Sequence, residues 1–466
     1  MQSDAPERVT PAEVDESTPV LNKSVITPPS LPYLHLLRSV AAGVWPLGWI
    51  AFGGPSAHIS LFHQRFVATA DAWLDEDTFL ELYALCASLP GPTSTQTATT
   101  VGIYRAGWLG GLLALFLFQW PGMALMLTLG LLMYSGHAVE RWRVLLLRLS
   151  VGLAAAAMSQ VALASFTIIR AACGDDRLKL GLATAAATIG VLVPADRASY
   201  VYPLTIAAGG AAVLCRDRWR RHGGSEEETF PVEATTTSPR ERTRDIVHHE
   251  SRWVGTSCLA LFASITALAA GVSVAGAALT SVSLRLFATS WRLGTTVFGG
   301  GQVVLPMMLK ELVAATDVGA NATAGTVPNN AFMLGFSLVQ AIPGPLFNLS
   351  VFIGAAADGV LGAVAAGAGL FAPGILLLFG VLPFWDRVRQ AQWVRLLVQG
   401  LNATAAGLIL AGCWMLLRRA VYDSATFSIL MLATYGALCK VPVALTILGG
   451  GIVGLAVPPA RNSIPG

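Results

Sequence analysis

Leu89-Pro90-Gly91-Pro92 and, 253 residues further on, Ile342-Pro343-Gly344-Pro345 decide how this chain folds. Each lies inside an apolar segment. Proline lacks a backbone donor and its ring clashes with the preceding helical turn. The residue before a proline also avoids the helical region. Two prolines flanking a glycine therefore interrupt a helix at Gly91 and again at Gly344. An interrupted helix bares unpaired backbone groups, which a membrane tolerates only where they are buried in protein or line water.

Outward from these two tetrapeptides the chain repeats itself. Phe52-Gly53-Gly54 returns as Phe298-Gly299-Gly300, with Gly48 and Gly294 at the same offset of 246. Phe79 pairs with Phe332; Gly102, Gly107 and Gly110 pair with Gly354, Gly359 and Gly362. Pro121-Gly122 pairs with Pro373-Gly374, and Gly152-Leu153 with Gly400-Leu401. So many landmarks in one order mark a duplication, and each half carries a double glycine followed by a Pro-Gly-Pro.

The composition sets the solvent. Charged residues make up 12% of the 466 and hydrophobic ones 54%, against about 25% charged in a soluble domain. Apolar segments long enough to count as candidate spans fall near 36–54, 79–103, 109–134, 149–170, 178–193 and 198–215, then near 253–281, 286–306, 331–356, 360–384, 393–417, 424–439 and 441–458. The fold expected is an all-α polytopic membrane protein of two homologous helical halves, with helices broken at Pro-Gly-Pro. Its expected parts are a disordered polar tail (1–35), a first membrane repeat (36–215), an Arg-rich polar loop (216–252), a linking transmembrane helix (253–281), a second repeat (282–458) and a short tail (459–466). Seven candidate spans separate equivalent starts. That number is odd, so the second copy is expected to enter from the opposite side, the inverted-repeat plan of many secondary transporters. The inference hangs on 253–281 crossing.

Arg216, Arg218, Arg220, Arg221, Arg240, Arg242, Arg244 and Arg252 crowd the central loop, and basic loops favour the cytoplasmic side. With that loop inside, the N-terminus is inside too. Residues 1–30 lack the apolar core of a signal peptide, so the plasma membrane is the expected location. Cys86, Cys173, Cys215, Cys258, Cys413 and Cys439 are scattered through apolar runs and read as small hydrophobes, not as a disulfide framework or metal cage. No metal-ligand cluster, nucleophile elbow or phosphate loop occurs. No enzyme activity, cofactor, metal or nucleic-acid partner is expected; the lipid bilayer is the partner, and the oligomeric state is open.

The half-helix beginning after each break offers free amide groups and the positive end of a helix dipole to an anion. The expected binding residues are Gly53, Gly54, Pro90, Gly91, Pro92, Thr93 and Ser94 in the first copy. Gly299, Gly300, Gln340, Pro343, Gly344, Pro345 and Asn348 are their counterparts in the second. The run of Thr95, Gln96, Thr97, Thr99 and Thr100 adds further donors, although a threonine inside a helix can spend its hydroxyl on its own backbone. His58, Arg65, Arg105 and Lys310 are the charged candidates; a snorkelling or topology-setting role competes with substrate contact for each of the three cations. Two half-helix termini supply about one positive charge, so a dianion is expected in a partly hydrated site.

On Phe52-Gly53-Gly54-Pro55 with His58, Leu89-Pro90-Gly91-Pro92 with Gly102, Phe298-Gly299-Gly300, and Gln340-Ala341-Ile342-Pro343-Gly344-Pro345 with Asn348, the chain resembles the chromate ion transporter family in its two-domain form. The resemblance covers roughly 36–172 and 286–418. It implies a transporter that exports chromate and confers resistance to it. Ala87 stands where the second copy has Gln340, and Thr95 where it has Asn348; together with the Arg-rich insert, these departures leave the substrate open. Sulfate uptake by the same fold is the alternative, and a non-transporting membrane scaffold the remote one.

Overall fold

The computed structural model describes residues 33–52, 54–134, 137–193, 195–222, 252–275, 281–298, 301–313 and 327–456. The tails, most of the Arg-rich loop, and Gly53, Gly299 and Gly300 lie outside the described residues. The first repeat comprises α1 (Tyr33–Ile50), α2 (Pro55–Phe66), α3 (Glu76–Ser88), α4 (Thr93–Tyr134), α5 (His137–Cys173), α6 (Arg177–Leu192) and α7 (Ala195–His222). A linking helix, α8 (Arg252–Ala275), follows. The second repeat runs α9 (Val282–Thr296), α10 (Gly301–Leu312), α11 (Asn329–Ala341), α12 (Leu349–Val381), the short α13 (Trp385–Gln390), α14 (Gln392–Ala420), α15 (Ser424–Leu438) and α16 (Val443–Ala456). Apart from one isolated bridge, Val313 to Val327, the described residues form no strand.

Local sequence explains where the helices start and stop. Asp75 caps α3 by accepting from the Thr78 amide, ahead of Glu76 and Asp77 at the positive end of the helix. Asp176 caps α6, and Asp423 with Thr426 forms a reciprocal capping box on α15. Pro55 occupies the first turn of α2, where its missing N–H costs nothing.

Long α4 is two helices folded on each other. Ala106 (φ −146°, ψ 28°) and Gly107 (φ 64°, ψ −163°) reverse the chain. Gly102 then lies so close to Gly110 that a β-carbon on it would stand 2.5 Å from the Gly110 carbonyl oxygen. Asp358 and Gly359 fold α12 the same way, and Gly354 meets Gly362. The paired glycines that mark the duplication are thus the positions where two helical arms touch backbone to backbone. The long arms, 108–134 and 360–381, are about 40 and 33 Å and long enough to cross a bilayer of about 30 Å.

The segments ahead of those arms do not cross. Tyr33 Oη donates to Ala106 O at the start of the long arm of α4, while Gly48 packs against Leu117, Phe118 and Pro121 halfway along it. Helix α1 therefore enters at the Arg105 end and stops at mid-depth. After the break α2 turns back: Phe66 and Trp73 cover Gly43 on α1, and Arg105 lies over the Trp73 ring at 5.1 Å. Helix α3 starts at the same end, where His63 Nε2 meets Glu76 at 2.6 Å. It dips to Pro-Gly-Pro, and the short arm of α4 returns beside it, with Cys86 Sγ 3.3 Å from Thr100 Oγ1. The expected crossings at 79–103 and 331–356 are accordingly re-entrant hairpins, and those at 36–54 and 286–306 are the first arms of two more, with α2 and α10 as the second arms. The physical reason lies in the glycines: Gly91 at φ 119° and Gly344 at φ 110° turn the chain round instead of kinking it.

Each repeat loses two expected crossings, an even number, so the parity that inverts the second copy survives. Tyr134, at the far end of α4, rests against Gly359 at the start of the long arm of α12. At that end Ser283, in the first turn of α9, donates to the Asp358 carboxylate. The second repeat thus enters from the Tyr134 end and the two long arms run antiparallel. Helix α8 has the length and composition for the crossing this requires: it runs from Gly255 beside Pro383 past Thr266, which accepts from Trp291 Nε1 at 3.0 Å. Among the described residues, five helices are long and apolar enough to span by length and composition.

The remaining helices interlock. Helix α5 of the first repeat packs against α15 and α16 of the second, and α14 of the second against α6 and α7 of the first. Gly152 abuts Gly450 and Gly454, and its counterpart Gly400 abuts Gly209 and Gly210. Arg216 of α7 returns to bind Asp176 at the Arg105 end, Nη1 to Oδ1 at 2.6 Å. The arginines flanking the central loop thus share an end with Tyr33, as the charge pattern requires.

Candidate anion site

The four hairpin tips meet at the centre of the fold. Gly91 N donates to Val297 O, and Gly344 N donates to Ala51 O, both at 2.8 Å. Val297 and Ala51 occupy equivalent places in the two copies, so each Pro-Gly-Pro is fastened to the glycine break of the other repeat. Prolines 121 and 373, with the glycines after them, complete the cross-packing. Gly122 lies under Pro343, where a β-carbon would come within 2.4 Å of the carbonyl oxygen. Gly374 lies under Pro90, where it would come within 2.9 Å.

A small cavity sits between these tips, lined by Pro55, His58, Pro92, Thr93, Ser94, Pro345, Leu346 and Phe347. Its volume of about 10 Å³ holds roughly one water. The first turns of α2, α4 and the 3-10 turn Leu346–Asn348 that runs into α12 all open onto it. Helix α10 begins just after Val297. Several helix N-termini thus aim at one point, each worth about half a positive charge. No carboxylate lines the cavity.

Buried polar atoms without a partner gather at the same place. They include His58 Nδ1, Gln96 Oε1, Gln119 Oε1, Gln340 Nε2, and both Asn348 Nδ2 and Oδ1. Native interiors leave few such groups. Gln96 Nε2 donates to Pro90 O and Gly374 O at 3.0 Å, bridging the repeats. Asn348 holds the mirror place, beside Gly344 and Gly122. Gln119 Nε2 reaches Thr95 Oγ1 at 2.9 Å. His58 Nε2 lies 2.9 Å from Ala51 O, and its ring packs edge-on against Phe118.

Measured against the sequence expectations, Gly54, Pro90, Gly91, Pro92, Thr93, Ser94, Gln340, Pro343, Gly344, Pro345, Asn348 and His58 are brought to or beside the tips. Gly53, Gly299 and Gly300 lie outside the described residues. The hydroxyls of Thr97, Thr99 and Thr100 bond their own helix backbone, four residues back, and Thr100 also meets Cys86. The three cations lie elsewhere. Arg65 is near the far end of α2, beside the Phe66 ring, about 15 Å along the helix from Pro55. Arg105 sits at the turn of α4, bonded to Ser39 Oγ at 3.1 Å. Lys310 Nζ donates to Gly190 O and Val193 O at 2.7 Å, closing the C-terminus of α6. Each neutralises a helix end or stacks on an aromatic ring. Gln96 belongs to the run of donors expected after the first break, whereas Gln119, Gly122 and Gly374 are not among the expected site residues. A lone glutamine within Leu117-Phe118-Gln119-Trp120 was the signal that could have found one of them.

Residues 38–214 and 284–455 match the family described as chromate transporter. The chain is 26% identical over 385 residues to the chromate transport protein of Pseudomonas aeruginosa, covering 82% of this chain and 80% of that one. It is 23% identical over 432 residues to a probable chromate transport protein of Synechococcus elongatus, covering 91% and 98%. An uncharacterized transporter of Methanocaldococcus jannaschii is 23% identical over 368 residues, covering 78% and 80%. No solved structure matches.

Proposed function

The chain belongs to the chromate transporter family, and on that premise we propose that it exports chromate by binding the dianion between the four hairpin tips. The observation that carries the reading is the convergence of helix N-termini from both repeats on a carboxylate-free cavity, between tips that also hold unpartnered buried amides. The three N-termini that line it supply about +1.5 charge. A tetrahedral dianion finds there both compensating charge and donors spread over several directions. Thr93 and Ser94 offer hydroxyls, Asn348 and Gln340 offer amides, and the backbone N–H groups of each first turn complete the shell.

A cavity of about 10 Å³ is too small for a tetrahedral oxyanion. Transport therefore requires the tips to part, and the bonds Gly91 N to Val297 O and Gly344 N to Ala51 O are what must open. The two repeats are held unequally. Helices α10 and α11 pack on α14 and α5, whereas α2 and α3 rest chiefly on α4. The first-repeat hairpins are the freer pair, and their movement opens the site toward the Arg105 end.

Export needs no further energy source. A membrane potential of 100 mV is worth about 2.3 kcal/mol per charge, so about 4.6 kcal/mol for a dianion leaving a negative interior. That sustains more than about a thousandfold gradient. The test is flux in liposomes that hold only the purified protein, with the potential clamped and chromate and sulfate compared. Chromate efflux that rises with a negative interior, and that falls when Asn348→Asp sets a carboxylate at the tips, supports the reading. Equal flux with empty liposomes sinks it, and sulfate influx without chromate movement replaces it with sulfate uptake.

A further inference from the structure

His58 is buried at the wall of the cavity, and the hydrogen-bond pattern fixes its tautomer. The carbonyl of Ala51 can only accept, so Nε2 carries the hydrogen and donates to it at 2.9 Å. The neutral ring, which lines the cavity, then carries a lone pair at Nδ1, a buried atom with no partner. A lone pair facing an oxyanion repels it. The repulsion disappears only when a hydrogen stands between Nδ1 and an oxyanion oxygen.

Resting on the chromate site proposed above, we infer that this protein binds its oxyanion together with one proton, held between His58 Nδ1 and an oxygen of the anion. One N–H bond forms at Nδ1, the proton comes from solvent or arrives on the anion, and it leaves with the anion on release. No other charge competes for it. The groups presented to His58 are Ala51 at the end of α1, Phe118 and Thr93-Ser94 of α4, and Pro345 to Phe347 ahead of α12. None of these titrates. On its own helix the next histidine, His63, is turned away to Glu76. A bare imidazolium among helix N-termini would be opposed by their positive ends, and a bare dianion would face the lone pair. Each makes room for the other, so proton and anion bind as a pair.

The same carbonyl ties this pair to movement. Ala51 O accepts from both His58 Nε2 and Gly344 N. A charged imidazole strengthens its own bond to that oxygen at the expense of the bond that fastens the Pro-Gly-Pro of the second repeat. Loading the site thereby loosens one of the two closures that must open. The net charge moved per cycle becomes −1 instead of −2, so flux responds to the membrane potential with half the steepness.

The experiment is calorimetric titration of the purified protein with sodium chromate at mildly alkaline pH, where free chromate is the dianion, in two buffers of different ionisation heat. Wild type should take up one proton per anion, and its affinity should fall about tenfold per pH unit, the slope of one linked proton. His58→Gln keeps a donor for Ala51 O and loses the titrating nitrogen; it should bind with no proton uptake and no slope. His63→Gln should keep both. A wild-type count of zero, or a count of one that persists in His58→Gln, overturns the inference. If His58→Gln does not fold, the wild-type count and slope, with His63→Gln beside them, decide. Wild type that binds no chromate at all overturns the site itself, and this inference with it.

Discussion

Replacing Gly122 by alanine tests the joint between the repeats more sharply than any change at the cavity wall. The added methyl would stand 2.4 Å from Pro343 O and 2.5 Å from Asn348 Nδ2. Both lie about an ångström inside ordinary contact, and Pro343 is backbone that cannot swing aside. Overpacking of this kind costs about 1–3 kcal/mol. The tip must retreat, and Gly344 N lies one residue on, bonded to Ala51 O at 2.8 Å. Losing that bond strands a buried donor for about another 1–3 kcal/mol. The sum, about 2–6 kcal/mol, predicts a clear fall in melting temperature and at least a tenfold loss of chromate affinity, since tenfold needs only about 1.4 kcal/mol. The mirror change Gly374→Ala meets Pro90 O at 2.9 Å and Gly91 Cα at 3.0 Å, a milder clash. Gly271→Ala on α8 meets nothing within 4 Å and should leave binding unchanged, with a stability gain of up to about 1 kcal/mol from helix propensity. The assay is thermal melting of purified protein with and without chromate. Damage should rank Gly122→Ala above Gly374→Ala above Gly271→Ala. Wild-type melting and affinity in Gly122→Ala would refute the argument that the two repeats are fastened through this contact.

Two further outcomes follow from other parts of the fold. The Arg216 guanidinium, with the α6 amides, holds the Asp176 carboxyl below its ordinary 3.8, at about 2. A group whose pKa is lower folded than unfolded stabilises the fold above about pH 4, and that contribution is lost as pH falls toward about 2. Acid melting of Asp176→Asn should lose this part of the slope, and an unchanged acid limb would count against the pair. For topology, Asp175→Cys and Tyr422→Cys, each in a background without the six free cysteines, lie at opposite ends of the helices. A membrane-impermeant thiol reagent applied to intact cells should label position 422 and spare 175; the reverse pattern, or equal labelling, would contradict the assigned orientation.

Much of the architecture is legible in the residues themselves because glycine and proline do the same steric work in any solvent. Gly91 and Gly344 break helices where their flanking prolines say they must, and the paired Gly102/Gly110 and Gly354/Gly362 mark helix contacts before any contact is seen. Parity also carries through, since a hairpin that dips and returns removes crossings two at a time. What the sequence conceals is direction. Hydropathy adds apolar residues along the chain without knowing that α3 and the short arm of α4 run opposite ways, so a hairpin of two short arms reads as one span. Partners across the repeats are equally hidden: nothing local to Gln96 announces Gly374 O, 278 residues away. The cations mislead for a related reason. Lys310 follows a site motif in sequence, but one helix on, its ammonium finds the carbonyls of Gly190 and Val193 and serves α6 instead.

The central claim is that the tips of both repeats jointly hold the anion. Diffraction from crystals grown with chromate, recorded at the chromium absorption edge, locates the metal atom of the bound oxyanion directly. A single strong anomalous peak between Pro55, Thr93 and Leu346, within hydrogen-bonding reach of Ser94 and Asn348, is the result this account predicts. A peak away from the tips, in the groove between Arg218 of α7 and Trp393 of α14 for example, with the tip cavity vacant, would contradict it.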